Sequence, residues 1–213
     1  MYQLKMEKLK TMKYVSLDCE MTGLSIEDCD ILEFGCVLDD LEDQQPIDEL
    51  PTFQCYFLSP HGHNIYKGEA MALSMHKEIF LRIEEQNRNL YNFYHPHKFG
   101  NMLKQFLSHN GHNIQSDKIT INVAGKNVGF DIMWLEKKTD ILKHVMMRHR
   151  VIDPSILLWN YDDDAIPGLA ECKRRAGIEG EVEHTAVADA LDIVKLVRYT
   201  MCSSAFLNIN YNE

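Results

Sequence analysis

The sequence lacks an apolar run long enough to cross a bilayer. None of its 213 residues lie in a stretch near the roughly 18 consecutive apolar residues that a spanning helix needs. The first residues, MYQLKMEKLKTMK, also lack the apolar centre of a signal peptide. Low-complexity tracts and internal repeats are missing as well. We therefore expect an ordinary globular protein that is intracellular and cytoplasmic, with no membrane partner.

Metal-binding and redox spacings of cysteine are also missing. The six cysteines include no C-x-x-C pair, and several fall in apolar segments where cysteine behaves as a small core residue, so we expect reduced thiols. Close histidine pairs occur, but no thiolate or second ligand set accompanies them, which favours solvated loop histidines over zinc. The pairs are His61/His63, His95/His97 and His109/His112.

Positive charge is scarce. The chain has 22 Lys and Arg against 32 Asp and Glu, a formal net charge of -10. Proteins that wrap long duplexes carry extensive basic surface, so this balance argues against that class. It allows a site that holds a few nucleotides through metal ions. Basic contacts would then be confined to a few groups such as Lys126, Lys173, Arg174 or Arg175.

The order of predicted elements indicates the fold class. Strand-like runs open the chain at 13–21, 30–38 and 53–59, and two helical patterns follow within about 61–117. Beyond residue 117, strands at 118–125 and 150–153 alternate with helices that begin near Asn127, after Pro154, near Ile166 and near Thr185. Adjacent strands followed by alternating strands and helices predict an α/β fold with a mixed sheet covered by helices.

Four acidic residues lie near the ends of predicted elements. In YVSLDCEMTGL, Asp18 and Glu20 share one face of a strand about 6.6 Å apart, which suits a metal ion but also a solvated strand end. Asp131 lies in the first turns of a helix, where acids commonly interact only with the helix dipole. Asp189 lies beside the buried face of the last helix, one turn in, and His184 lies just outside that helix.

These acids predict a metal site if the fold brings them together. Four carboxylates around one pocket repel each other unless cations neutralise them. Hard oxygen ligands in that number favour Mg²⁺ or Mn²⁺ over zinc. A continuous helix would point His184 and Asp189 about 140° apart, so we expect separate roles for them.

Three segments in order resemble the motifs of a known family. DCEMTGL, NVGFD and HTAVADA resemble those of the DEDDh branch of DnaQ-like 3′-to-5′ exonucleases, which includes proofreading exonucleases, RNase T and oligoribonuclease. VIDPSILL and IPGLAECKRRAGI resemble the family's segments between the second and third motifs. The resemblance covers about residues 13–200 and is weakest at about 61–117. It implies an RNase H-like mixed sheet flanked by helices, in one exonuclease domain over 1–213.

The resemblance also implies roles for individual residues. Two Mg²⁺ ions, for which Mn²⁺ would substitute, would be held by Asp18, Glu20, Asp131 and Asp189. His184 would accept a proton from the attacking water. The residues around the 3′-terminal nucleotide would be Met21, Thr22, Gly23 and Leu24, with Leu24 against its base. Asn127 would either orient its turn or touch the substrate, and Phe130 and Trp134 would belong to the core.

The implied activity is release of nucleoside monophosphates from single-stranded 3′ ends. RNA is slightly favoured over DNA, because DCEMTGL is nearer to the RNA-directed members of the family. Two alternatives stay open: a DNA-directed repair or proofreading exonuclease, and a nucleic-acid end-binding module with weak catalysis. Relatives include dimers, so the resemblance also leaves a homodimer open.

Overall fold

The computed structural model describes residues 12–112, 114–115 and 117–202 of the chain. In these residues one mixed sheet carries helices on both faces. Its strands are β1 (Lys13–Met21), β2 (Ile31–Asp40), β3 (Thr52–Phe57), β4 (Phe93–Tyr94), β5 (Ile114–Gln115), β6 (Lys118–Ala124) and β7 (Val145–Ile152). The helices are α1 (Ala70–Met75), α2 (Lys77–Glu85), α3 (Pro96–His109), α4 (Gly129–Lys138), α5 (Leu169–Ala176) and α6 (Ala186–Cys202), with 3₁₀ turns at Ile47–Glu49, Ile141–Lys143 and Pro154–Leu158.

The sheet combines an antiparallel meander with parallel strands. Its strand order is β4-β3-β2-β1-β6-β5, and β7 pairs with β6. β2 is antiparallel to both β1 and β3, whereas β1, β6 and β7 run parallel. The carboxyl ends of β1 and β6 therefore reach the same edge of the sheet, and the candidate site lies at this edge.

Alternating side chains of β1 supply two separate cores. Val15 and Leu17 face α3 and α4, where they pack in a cluster with Phe99 and Trp134. Tyr14 faces the opposite side, in a cluster with residues of α5 and α6. This period-two alternation leaves β1 buried on both faces until its last residues, where the acids occur.

The α/β mixed sheet predicted from the sequence is confirmed, with differences in several elements. The first helical pattern of 61–117 is divided between α1 and α2, because His76 leaves the helical region at φ -95° and ψ 27°. β7 is longer than the predicted strand at 150–153, since its parallel pairing with β6 begins at Val145. After Pro154 the chain forms only a 3₁₀ turn.

Two further expectations concern cysteine and membranes. The five cysteines whose side chains are described are buried and unpaired, in line with the expected reduced thiols, and the side chain of Cys202 lies outside the described part. Among the helices described, none combines the length and the apolar character needed to span a bilayer.

Candidate active site

Three carboxylates converge at the carboxyl end of β1. One oxygen each from Asp18, Glu20 and Asp189 lies within 4.8 Å of the others. Asp18 and Glu20 share a face of β1, and the register of β1 against β2 shifts directly after Glu20. Such a bulge redirects the strand beside a functional site. The pair predicted from its spacing therefore does meet a third acid from the last helix.

Close packing of α6 on the sheet brings Asp189 to this pair. Gly35 of β2 lies opposite Asp18, and a Cβ at Gly35 would stand 2.2 Å from the backbone nitrogen of Val187. Glu33 accepts a hydrogen bond of 3.4 Å from the backbone N–H of Ala186, the first residue of α6. A glycine and a buried carboxylate on β2 thus position the start of α6, and neither is part of the three motifs.

Asp131 lies beside the three-acid cluster without belonging to it. It is buried in the first turn of α4, and its Oδ1 accepts a hydrogen bond of 3.0 Å from the backbone N–H of Cys19. The contact ties the start of α4 to β1 between the two strand acids. Among the neighbouring carboxylates, Asp131 contributes most to raising the pKa of Asp18.

The electrostatics of the cluster favour the protonated acids in the absence of a cation. Burial is the largest cause in each case. For Asp18 the neighbouring carboxylates add to it, and the pKa of Asp18 is raised well above its usual value. Burial likewise raises the pKa of Glu20 to about 8, of Asp131 to about 7 and of Asp189 to about 6. Oδ1 of Asp189 is buried without a hydrogen-bond partner in the described structure. An unpartnered oxygen among repelling carboxylates fits a divalent cation.

His184 lies in the connection before α6, as its position in the sequence predicts. Its side chain is exposed and its backbone has a φ of 52°, in the left-handed region. Its charge lowers the pKa of Asp189 against the larger effect of burial, so the two side chains lie within electrostatic reach. The expected separation of roles is consistent with this placement, because His184 is not one of the three converging ligands.

His76 is a site residue that the motifs do not contain. It is buried, and its Nε2 lies 3.5 Å from Oε2 of Glu20. Burial lowers the pKa of His76, and the nearby His184 lowers it further. A hydrogen bond to the backbone of Met21 raises this pKa in opposition. His76 lies inside the first helical pattern of the sequence, which indicates neither the break at this residue nor its contact with the distant Glu20.

The turn after β1 holds the predicted nucleotide-binding residues in different environments. Thr22 is buried, and its hydroxyl donates to the backbone carbonyl of Lys67 and accepts from the backbone N–H of Asp30 at 2.7 Å. Gly23 is buried too, and a Cβ there would stand 2.6 Å from Sγ of Cys29. Leu24 is 74% exposed. Of this turn, Leu24 presents a free apolar side chain, whereas Thr22 shapes the backbone.

The segment at about 61–117 braces this turn. The backbone N–H of Glu69 donates to the carbonyl of Thr22 at 2.8 Å, and the Glu69 carboxylate accepts from the backbone N–H of Leu24 at 3.0 Å. A Cβ on Gly68 would collide with Thr22 at 2.4 Å. The least typical part of the sequence therefore contributes to the site through Glu69 as well as His76.

Asn127 and Met21 lie at the margins of the site. Asn127 occupies the left-handed turn between β6 and α4, with a φ of 52°, and its backbone N–H donates to Asp153 at 3.0 Å. Its side chain is exposed. Met21 is half-buried and packs against the core of the α3 and α4 face. Of the expected core pair on α4, Trp134 is fully buried and Phe130 partly so.

Of the four basic residues that the sequence offers for phosphate contacts, three form ion pairs with carboxylates of the protein itself. Lys173 is buried in an ion pair with Asp192, which is the clearest departure from the sequence expectation. Arg174 pairs with Glu171 at 2.6 Å, and Arg175 pairs with both Glu171 and Asp163. The basic face of α5 thus holds the preceding acidic loop and α6. Lys126 has no ion pair among the described residues.

Comparison with solved structures decides the type of fold. S. pombe Pop2p, in a form with Mg²⁺ and Mn²⁺ bound, matches with a TM-score of 0.56 over 93% of this chain and 86% of that one. The fold is RNase H-like. Sequence identity to Pop2p is 14%, so the likeness concerns the fold alone. No family model matches the chain, and no curated protein matches it.

Proposed function

We propose that this protein is a metal-dependent 3′-to-5′ exonuclease that releases nucleoside monophosphates from single-stranded ends. The observation that carries the proposal is the cluster of Asp18, Glu20 and Asp189, with an unpartnered buried oxygen on Asp189. The RNase H-like fold places this cluster at the carboxyl end of β1. Asp18 and Glu20 lie at this end of β1. Asp131 and Asp189 lie in the first turns of α4 and α6, and His184 lies just before α6.

Mg²⁺ is the proposed cofactor, with Mn²⁺ as a substitute. The oxygen-only donor set favours these ions over zinc, and Pop2p has both bound. Asp18, Glu20 and Asp189 would hold metal directly, with Asp131 beside them. When bound, such ions would supply Lewis-acid stabilisation of the negative charge that develops on the scissile phosphate.

The chain's own residues supply the proton transfer and the grip on the substrate end. The exposed imidazole of His184 takes a proton from water as the water oxygen attacks phosphorus. The bond from phosphorus to the 3′ oxygen of the penultimate nucleotide then breaks, that oxygen takes a proton from solvent water, and a nucleoside 5′-monophosphate is released. Leu24 packs on the terminal base, and the turn Met21–Leu24, braced by Glu69, approaches its sugar.

RNA is the substrate we favour, by the likeness of DCEMTGL to the RNA-directed enzymes. The chain acts as one exonuclease domain in this proposal, either alone or as a homodimer. The fold by itself is neutral between RNA and DNA, so the preference is tested separately with matched RNA and DNA strands.

The decisive experiment is a Mg²⁺ titration with a 5′-labelled single-stranded oligonucleotide. A ladder of products shortened from the 3′ end is expected, and it should disappear in EDTA. Asp131→Asn should abolish the ladder while the protein still folds, and Asp162→Asn, the same change at an exposed aspartate outside the site, should keep it. An end-binding module would bind the strand and leave its length unchanged, and near wild-type activity of Asp131→Asn would contradict the metal site.

A further inference from the structure

A concave region away from the candidate active site is lined by basic side chains. A cavity of about 590 Å³ lies between the start of α3, the end of α4 and the connection after β3. Its basic lining residues are His95, His97, Lys137, Lys138 and Lys143. The imidazole rings of the two histidines stack 5.5 Å apart. In a chain with a formal charge of -10, three lysines and two imidazoles around one cavity are a local reversal of charge.

Within the part of the chain that the structure describes, the lysines of this basic cavity, Lys137, Lys138 and Lys143, have no carboxylate partner of their own. One carboxylate, Asp140, belongs to the lining, but its oxygens are engaged by the backbone N–H of Gly100 at 2.7 Å and by His144 at 3.3 Å. The contrast with α5, whose basic residues all meet carboxylates, indicates that this cavity meets anions from outside.

The wall of the basic cavity is joined to the candidate active site. Ser59, Pro60 and Gly62 form that wall, and Nε2 of the intervening His61 lies 3.3 Å from Oδ2 of Asp30. The backbone carbonyl of Asp30 in turn accepts the backbone N–H of Thr22 at 2.9 Å. One short connection therefore separates the cavity from the turn proposed to hold the terminal nucleotide.

The separation along α4 matches a few nucleotides. Asp131 is in the first turn of this helix, and Lys137 and Lys138 are in its last turn. At 1.5 Å per residue these lysines lie about 9 to 10.5 Å along the axis from Asp131. A stacked strand advances about 3.4 Å per nucleotide, so the distance corresponds to about three nucleotides.

We propose that the basic cavity binds the phosphodiester backbone of the substrate strand, a few nucleotides on the 5′ side of the scissile bond. The inference rests on the proposed exonuclease function. Lysine side chains supply point charges for phosphate oxygens, and the stacked imidazoles add donors and a flat surface beside them. Strands of about five nucleotides or more reach the cavity, whereas a dinucleotide occupies the active site alone.

The test measures binding and turnover separately. A 5′-labelled 12-nucleotide RNA is titrated by fluorescence anisotropy in EDTA, where turnover stops, against wild type and a Lys137→Gln/Lys138→Gln/Lys143→Gln variant. Loss of three phosphate contacts should weaken binding by roughly 10- to 100-fold near 0.1 M salt and reduce the log-log salt slope by about 2. In Mg²⁺ the variant should raise KM for the 12-mer but not for a dinucleotide.

A matched control removes the same charge elsewhere. Lys118→Gln/Arg148→Gln/Arg150→Gln neutralises three exposed groups on β6 and β7, and it should leave affinity within about twofold of wild type. An equal loss of affinity in both triple variants would overturn the proposed role of the cavity and indicate a general effect of net charge. Equal affinity of the cavity variant and wild type would overturn the cavity proposal while leaving the proposed exonuclease function intact. Binding of the strand without any ladder of products would instead contradict the proposed function.

Discussion

The imidazole of His76 lies against the carboxylate of Glu20, with 3.5 Å between Nε2 and Oε2. A hydrogen bond to the backbone of Met21 also holds the ring, and burial of His76 favours its neutral form. His76 therefore orients a proposed metal ligand from a segment that lies outside the motifs. Residues in such positions typically change metal affinity or activity by about 10- to 100-fold when they are removed.

We expect His76→Ala to weaken Mg²⁺ activation by about 10-fold or more while KM for the strand changes little. The half-activating Mg²⁺ concentration is the measurement, with His63→Ala, a change of an exposed histidine in the same segment, as control. His76→Gln should recover part of the loss, since an amide can still hydrogen-bond to Glu20. An unchanged half-activating Mg²⁺ concentration in His76→Ala would show that His76 does not position Glu20 for metal binding.

Stability of the metal-free protein should fall as pH rises from about 5 to 8. Folding raises the pKa of Asp189 to about 6, of Asp131 to about 7 and of Glu20 to about 8, whereas the unfolded chain releases these protons nearer pH 4. The folded state therefore binds more protons in this window, so stability decreases with pH, by at most about 1.4 kcal/mol per pH unit for each group. Melting curves in EDTA across this range measure the effect.

Mg²⁺ should flatten that pH dependence, because the cation neutralises the deprotonated carboxylates. The melting temperature at pH 8 should rise with Mg²⁺, and Asp131→Asn should show a smaller rise. A metal-free protein that became more stable between pH 5 and 8 would mean that the carboxylates are not crowded as the structure has them.

Two aspartates one turn apart on α6 should respond to the same substitution in opposite ways. Asp189→Asn removes one of three converging charges, so activity should be lost and the metal-free melting temperature should rise. Asp192→Asn leaves Lys173, whose side chain is 5% exposed, without its carboxylate partner. Breaking a buried pair in this way costs about 3 to 5 kcal/mol. Chemical denaturation of the metal-free variants measures the free energy of unfolding of each. A change of the same sign in both variants would contradict the prediction.

Gly35→Ala should displace the start of α6. A Cβ at this position would stand 2.2 Å from the backbone nitrogen of Val187, and backbone cannot yield as a flexible side chain does. We expect the overpacking to cost about 1 to 3 kcal/mol and activity to fall because Asp189 moves from Asp18. The control for stability is Gly129→Ala, where no heavy atom lies within 4 Å of the added Cβ. Wild-type stability and activity in Gly35→Ala would show that α6 packs less closely.

His184→Ala should lower kcat by roughly 10²- to 10⁴-fold, the usual span for a general base. Mg²⁺ affinity and strand binding should stay close to wild type, because His184 is exposed and is not among the converging ligands. His149→Ala, a change on the exposed strand β7, is the control. A loss of Mg²⁺ affinity in His184→Ala would make His184 a ligand instead.

The sequence by itself determined the elements whose signals are local. Period-two alternation placed β1 at 13–21 as the structure has it, and the apolar stripe of the last helix placed Asp189 beside its buried face. The order of strands and helices determined the mixed α/β class. These features are encoded within a few neighbouring residues, because side-chain direction repeats with the period of each element.

Only the tertiary structure decided which distant residues meet. Contacts of Glu20 with His76 and of Glu33 with the start of α6 depend on how a helix approaches the sheet. The pairing of Lys173 with Asp192 likewise follows from that packing, as does the lack of such a partner for Lys137 among the described residues. The physical reason is that hydrophobic periodicity specifies which face of an element is buried, whereas the neighbour on that face is set by the packing of the whole chain.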